Sequence, residues 1–216
     1  MEIEHLKTKI KQVREDSKKR NFPQTFDLVI NLKNLDLKKP ESKVDVGVLL
    51  DCKVKPKKYK IMAVIDHSIT GAEQVFDKVI YSDELLALKG NMKNIRELSH
   101  TYDKFVVQAN LMPQFAQILG RFLGPMSKMP SPKLGMIITS KTPLKELEEK
   151  IQKTAHLQTR KNLVLQVSVG AETESDSVIA KNIAHIYDVL IHNLSGHENN
   201  LKNMNLKLTM GKLVEL

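Results

Sequence analysis

Hydrophobic and polar residues alternate in four segments, two near each end of the chain. The segments span 25–33, 43–50, 163–169 and 203–210. A period of two predicts strands with one buried and one solvated face, as in an antiparallel sheet. In the last segment the pattern assigns four residues to the buried side: Met204, Leu206, Leu208 and Met210.

The middle of the chain has a different pattern. Short apolar runs at 61–65, 78–81, 105–109 and 136–139 are typical of strands buried on both faces. Apolar residues three or four apart lie between or after these runs and predict helices. Their stripes are Ile95, Leu98 and Tyr102, then Phe115, Ile118, Leu119 and Phe122, then Leu144, Leu147 and Ile151.

The boundaries of one of these helices are predicted from its flanking residues. Ser82 is expected to cap its start, and Gly90 to follow its end. Thr142 and Pro143 are expected to open the last helix of the middle segment. Strands alternating with helices in this way predict a small parallel α/β domain.

These patterns together predict an α/β (α+β) protein of two domains, one inserted into the other. Residues 1–60 and 153–216 are expected to form a discontinuous α+β domain with an antiparallel sheet and helices at 3–13 and 178–194. Residues 61–152 are expected to form an inserted, Rossmann-like α/β domain with a parallel sheet.

The net charge is +9 and is unevenly distributed. Residues 61–150 hold 11 Lys and Arg against 10 Asp and Glu, which leaves 23 basic and 15 acidic residues in the rest of the chain. A basic excess indicates a nucleic acid or an acidic membrane surface, although it also serves simple solubility. Its concentration in the terminal segments favours a polyanion bound by the discontinuous domain.

Other features of the sequence exclude several classes of protein. Cys52 is the only cysteine, so an internal disulfide and a cysteine-rich zinc site are excluded. Residues 1–16 lack a signal-peptide core, and no apolar run has the roughly 18 residues of a membrane span. No glycine-rich phosphate loop, nucleophile elbow or metal-type histidine spacing is present. We therefore expect a soluble protein of the reducing cytosol with no cofactor, metal or catalytic residue.

Three segments could contact a polyanion, and each has a purely structural alternative. The segment 18–25 combines three cations with Phe22, which could instead pack into the core at the end of a basic helix. The segment 209–211 could contact a ribose or a phosphate, or could simply be a strand end that turns at Gly211. The proline-rich segment 123–133 could be an RNA-contacting loop or a stiff connection.

These three segments, in this order, resemble the L-one family of large-subunit ribosomal proteins, the lateral stalk proteins, in their archaeal form. The resemblance rests on Lys19-Arg20-Asn21-Phe22, on Leu123-Gly124-Pro125 through Lys128-Met129-Pro130 to Pro132, and on Leu208-Thr209-Met210-Gly211. Residues 38–41 and 108–113 match archaeal forms too, so the resemblance spans nearly the whole chain.

The resemblance implies a ribosomal function. Members bind the stalk of large-subunit ribosomal RNA, assist release of deacylated tRNA from the exit site, and often repress translation of their own messenger RNA. It implies a cytoplasmic, ribosomal protein that is a monomer when free. The RNA-contacting residues it implies are Lys19, Arg20, Phe22, Thr25, Asp27, Lys161, Asn203, Thr209, Met210 and Gly211, with Lys128 and Lys133 of the proline-rich segment as weaker candidates.

The chain departs from the family pattern at three places. Met126-Ser127 stands where an Arg-Gly pair is usual, Lys161-Asn162 where Asp-Lys is expected, and Lys212 where a proline is usual. Two alternative functions remain at this point. One is a nucleotide-binding enzyme that uses the middle α/β domain, since such sheets bind ligands at their carboxyl edges. The other is a peripheral membrane protein, although no helix pairs a strongly apolar face with a wholly basic one.

Overall fold

The computed structural model describes residues 2–36, 39, 42–139, 142–159 and 162–216. The chain divides into two compact units. The terminal unit consists of Met1–Lys57 and Lys153–Leu216, and the inserted unit of Lys58–Gln152.

Six α-helices and ten strands are found among the described residues. The helices are α1 (Ile3–Glu15), α2 (Ser82–Ala87), α3 (Met92–Thr101), α4 (Met112–Leu123), α5 (Leu144–Lys153) and α6 (Asp176–Asn193). The strands are β1 (Thr25–Leu32), β2 (Asp45–Leu49), β3 (Ile61–Ile65), β4 (Lys78–Tyr81), β5 (Lys104–Gln108), β6 (Ile137–Ile138), β7 (Thr154–Gln158), β8 (Val164–Ala171), β9 (Leu201–Leu208) and β10 (Val214–Glu215).

The terminal unit contains an antiparallel sheet with strand order β10-β9-β1-β8. Its apolar side chains alternate along β1 as the sequence pattern predicts, with Phe26, Leu28 and Ile30 fully buried. The two long helices of this unit pack together, α1 also against β9 and α6 against β8. Because both helices lie on the apolar side, the sheet has one covered and one open face.

A second antiparallel sheet of two strands joins β2 to β7 in the same unit. Strand β7 was not predicted, because it follows directly after helix α5 without an intervening turn. The pair places His156 beside Asp45, whose Oδ1 lies 2.6 Å from His156 Nε2.

The inserted unit is built on a parallel sheet with strand order β4-β3-β5-β6. Residues of β3 alternate between two buried clusters. Met62 and Val64 pack with side chains of α3 and α4, whereas Ala63 and Ile65 pack with side chains of α5. Both faces of this sheet are therefore covered, and the predicted fold class is confirmed for both domains.

One boundary prediction in this unit is wrong. Ser82 is the first residue of α2 and makes no capping hydrogen bond; the N-cap position is Tyr81. The strand β4 ends at the same residue. Because the helix follows the strand without a loop, the residue before it is set by the strand and not by capping preference. Gly90 does lie beyond the helix, with a φ of 96°.

Arg14 connects helix α1 to the turn that precedes α6. Its Nε donates to Asp176 Oδ1 at 2.9 Å, and its terminal nitrogens donate to the carbonyl oxygens of Glu172 and Glu174. The guanidinium also lies over the ring of Phe26, 5.0 Å from its centre. This cation is therefore fully engaged within the protein.

Candidate nucleic-acid interface

The open face of the terminal unit's sheet carries small polar side chains. In β1 these are Thr25, Asp27 and Asn31, with Val29 between them, all partly exposed. A groove of about 460 Å³ crosses this face, lined by Asp27, Val29, Gln166, Val167, Ser168, Lys207 and Leu213. The face can therefore accept a polar ligand along the strands.

Asp27 lies at the centre of this face, paired across the sheet with Ser168 on β8 and Lys207 on β9. Ser168 Oγ donates to Asp27 Oδ1 at 2.7 Å, and Thr25 Oγ1 donates to the same oxygen at 3.4 Å. These bonds fix the orientation of the carboxylate. An ionised carboxylate only accepts hydrogen bonds, so its partner in a ligand must be a donor.

Thr25 and Thr209 join the start of β1 to the segment after β9. The Thr25 N–H donates to Thr209 Oγ1 at 3.1 Å, and the two hydroxyl oxygens are 2.9 Å apart. The Thr209 N–H in turn donates to the Thr25 carbonyl at 3.0 Å. Two predicted site residues from opposite ends of the sequence are thus held together by backbone and side-chain bonds.

Met210 is 63% exposed, so its predicted burial with Leu208 is wrong. Strand β9 ends at Leu208, and the next residues turn out of the sheet. The Met210 N–H donates to Gln24 Oε1 at 3.1 Å. Gln24 is itself buried and bonded through its backbone to Glu172, so the methionine is anchored through its N–H while its side chain faces solvent.

Gly211 is required by a contact within the protein. A Cβ added there would lie 2.7 Å from Ser17 Oγ and 3.3 Å from the backbone nitrogen of Leu208. Ser17 Oγ is fixed by its bond to the Val13 carbonyl at 2.7 Å. The close approach therefore brings Gly211 against the residues that follow α1.

Phe22 is 50% exposed, which excludes the alternative that it packs into the core. It lies in the irregular segment between α1 and β1, two residues before Gln24. Lys19 and Arg20 in the same segment are exposed and make no ion pair with a described residue. Lys18 is exposed as well, so the segment presents an aromatic ring and three cations to solvent.

The remaining candidates of the terminal unit differ in their surroundings. Asn203 lies on the open face, where its Oδ1 accepts from Asn31 Nδ2 at 2.7 Å. Lys161 lies outside the described residues, as do its neighbour Arg160 and most of the motif at 38–41.

The two weaker candidates belong to the inserted unit. Lys128 Nζ donates to the carbonyl oxygens of Ser99 and Tyr102, at 2.8 and 2.7 Å. It therefore binds the free carbonyls at the end of α3, a role that uses its charge internally. Lys133 is exposed in the short 3-10 helix Pro132–Leu134.

Several residues of the open face were not predicted as site residues. These are Gln166, Ser168, Lys207 and Leu213. Lys207 could have been predicted, because the alternation of 203–210 already places it on the solvated side with Asn203. Nothing in the sequence indicates that Ser168 binds Asp27, because the two residues are 141 positions apart.

In the described part of the inserted unit, the carboxyl ends of β3 and β5 are bridged by a side chain. Gln108 Oε1, at the end of β5, accepts the N–H of Asp66, which follows β3, at 2.7 Å. This bond spans the position where a ligand of such a sheet would bind. Among the described residues no group of three or more His, Cys, Asp or Glu could hold a metal ion. Nor does any described helix have the length and apolar character needed to cross a membrane.

Comparisons with known proteins all identify the same family. The model of the "Ribosomal protein L1p/L10e family" matches residues 4–212. The large ribosomal subunit protein uL1 of Thermococcus kodakarensis is 33% identical over 208 residues, covering 96% of this chain and 94% of that protein. Its counterpart in Methanosphaera stadtmanae is 36% identical, covering 96% of each chain. That of Methanocaldococcus jannaschii is 32% identical, covering 100% of this chain and 96% of the relative.

Proposed function

Because the chain belongs to the ribosomal protein L1p/L10e family, in its archaeal form, we propose that its terminal unit binds the stalk of large-subunit ribosomal RNA through the open sheet face. Membership makes the chain a structural protein of the large ribosomal subunit in the cytoplasm and not an enzyme. The finer statement, which RNA it binds and where, is our proposal.

One observation carries the proposal: an open polar sheet face is flanked by two exposed apolar side chains, Phe22 and Met210, in the part of the chain that holds the basic excess. Exposed large apolar residues beside fixed polar groups are typical of a binding surface. The covered face alone stabilises strands of this kind, so the polar open face is available for binding.

Each group on the face has a chemical role in the proposal. Lys19, Arg20 and Lys207 bind phosphates, which position the RNA without specifying its sequence. Phe22 and Met210 pack against bases or riboses exposed in an irregular RNA segment. Asp27 accepts a hydrogen bond from a ribose 2′-hydroxyl, a group that RNA has and DNA lacks.

The direct experiment is equilibrium binding of the full chain to a stalk rRNA fragment and to an unrelated RNA duplex of equal length, across a salt series. We expect the stalk fragment to bind at least about 10³-fold more tightly and with a steep salt dependence. Equal affinity for the two RNAs would contradict the proposal. A nucleotide-dependent rise in melting temperature would instead revive the nucleotide-binding alternative.

Substitution of Phe22 tests the surface itself. We expect Phe22→Ala to weaken stalk binding by about 10- to 100-fold, since stacking on an aromatic ring contributes about 1–3 kcal/mol per base. Leu86→Ala is the matched control, because Leu86 is also exposed (52%) but lies on α2 of the inserted unit. An equal loss in both variants would place the binding surface elsewhere.

We also propose the two further roles that the family resemblance implies, escort of deacylated tRNA at the exit site and repression of the protein's own messenger RNA, with the free protein monomeric. Repression would use the same open face, so the message and the stalk fragment should compete. Phe22→Ala should weaken both complexes by the same factor. Simultaneous binding of both RNAs to one protein molecule would argue against a shared surface.

A further inference from the structure

A group of cations on the inserted unit is not used by the proposed stalk-binding face. Two hollows meet on this unit. One, of about 480 Å³, is lined by Met92, Lys93, Arg96, Glu97 and His100. The other, of about 230 Å³, is lined by residues of α3, of α4 and of the turn before α3, including Met92, Lys89, Ile95, Gln117, Phe122 and Arg121. Since Met92 lines both hollows, four cations surround one methionine.

The four cations, Lys89, Lys93, Arg96 and Arg121, are exposed and make no ion pair with any residue that the structure describes. Glu97 is the single acidic side chain lining either hollow. Two other cations of the protein behave differently. Arg14 and Lys128 bind carbonyl oxygens or a carboxylate of the protein itself. The charge of this cluster is therefore available to a partner.

The cluster is unusual for the unit that carries it. Residues 61–150 have nearly balanced charge, with 11 basic and 10 acidic residues, yet four of the basic ones lie on this one surface. Apart from Glu97, the acidic residues of this unit lie outside both hollows, for example Asp66, Glu73 and Asp83 near the carboxyl ends of β3 and β4. A localised basic surface on a nearly neutral unit points to a polyanionic partner.

We propose that this surface, formed by Lys89, Met92, Lys93, Arg96 and Arg121, is a second RNA-binding site, which contacts the RNA backbone independently of the open sheet face. The choice of RNA as the polyanion rests on the proposed function. It is supported by the two guanidinium groups, which bond phosphates through two parallel N–H donors and stack on bases. Met92, 53% exposed at the centre, supplies an apolar contact.

The site is expected to bind without sequence preference. No buried polar group or fixed carboxylate comparable to Asp27 lines either hollow, and its donors are flexible surface side chains. Contacts of this kind depend on phosphates alone and are released as salt increases.

The test uses the full chain and a fluorescent RNA hairpin of 20 base pairs, unrelated in sequence to the stalk. Substituting Lys93→Glu together with Arg96→Glu should weaken hairpin binding at least about fivefold and lower the salt slope by about two, one for each phosphate contact. Both residues are exposed on α3, so melting temperature should change little and serves as the folding check.

The chain offers a matched control for Lys93. Lys93 and Lys145 are each the second residue of a ten-residue helix, α3 and α5, and both are exposed. The two helices pack on opposite faces of the parallel sheet. Lys145→Glu should leave hairpin binding within about twofold of the wild-type value. If Lys145→Glu and Lys93→Glu weaken binding equally, only net charge matters and the proposed site is refuted.

Two further measurements separate this inference from the proposed function. Phe22→Ala should reduce stalk binding but leave hairpin binding unchanged, whereas the Lys93/Arg96 variant should do the reverse. If the wild-type chain bound the stalk and the hairpin equally well, the proposed function would be overturned. If the Lys93/Arg96 variant bound the hairpin as tightly as the wild type, this inference would be overturned. A polyglutamate peptide that binds as tightly as the hairpin, with the same sensitivity, would show that the partner is an acidic protein and not RNA.

Discussion

The two units of this protein treat their sheets in opposite ways. The antiparallel sheet of the terminal unit is covered by α1 and α6 on one side and leaves Asp27, Val29 and Asn31 on an open face. The parallel sheet of the inserted unit is covered by helices on both sides, so neither face is open as in the terminal unit. An open sheet face holds its polar groups in fixed register, whereas helix surfaces present mobile cations. Specific recognition therefore suits the first unit, and non-specific contact the second.

The largest effect is expected when one valine of each sheet is replaced by aspartate. Val64 is fully buried in β3, so Val64→Asp should destabilise the inserted unit by more than about 4 kcal/mol, since it buries an unpaired charge. Val29→Asp on the open face should cost less than about 1 kcal/mol of folding free energy, because the carboxylate stays hydrated. It should nevertheless weaken stalk RNA binding. Urea denaturation measures the first effect and RNA titration the second; similar destabilisation by both substitutions would mean that the open face is covered.

A second test compares an arginine that is hydrogen-bonded within the protein with one that makes no ion pair with a described residue. Arg14 and Arg121 both lie in the last turn of a helix, α1 and α4. Arg14→Met should destabilise the protein by about 2–3 kcal/mol, because it leaves two carbonyl oxygens and Asp176 without their donor. Arg121→Met should change stability by less than about 0.5 kcal/mol. Thermal unfolding of the two variants measures both values, and an equal loss would show that Arg121 also has an internal partner.

The smallest effects are expected at two glycines, whose replacement by alanine should change folding stability in opposite directions. Gly211→Ala should destabilise the terminal unit by about 1 kcal/mol, because its Cβ would meet Ser17 Oγ at 2.7 Å. Gly120→Ala, in helix α4 with no atom within 4 Å of the added Cβ, should stabilise the inserted unit by about 0.5–1 kcal/mol. Adding Ser17→Ala should restore the Gly211 variant. Failure of that rescue would show that the backbone of Leu208, and not Ser17, sets the requirement for glycine.

The sequence predicted the fold better than the site. Alternation identified β1, β8 and β9, and the apolar runs identified the parallel strands, because both patterns are local. Strand β7 was missed because it follows helix α5 directly, and β10 because its two residues form no detectable pattern.

Predictions about the site were wrong or undecided where contacts between distant residues determine exposure and bonding. Alternation continued to Met210, but the strand ends two residues earlier, where Thr209 bonds to Thr25 and Gln24 holds the Met210 N–H. The exposure of Phe22 could not be decided from its neighbours, and the structure settles it at 50%. Sequence could not show that Lys128 binds the carbonyls that end α3, because Ser99 lies 29 residues away.

The central claim, that the open sheet face binds stalk RNA, is tested most directly by oxidative labelling of methionines. Met210 and Met92 are comparably exposed, at 63% and 53%, and lie in different units. Labelling should be done with a stoichiometric stalk fragment at a salt concentration that suppresses non-specific contacts. We predict that Met210 becomes protected while Met92 oxidises as in the free protein. Protection of Met92 with Met210 still oxidised would contradict the account.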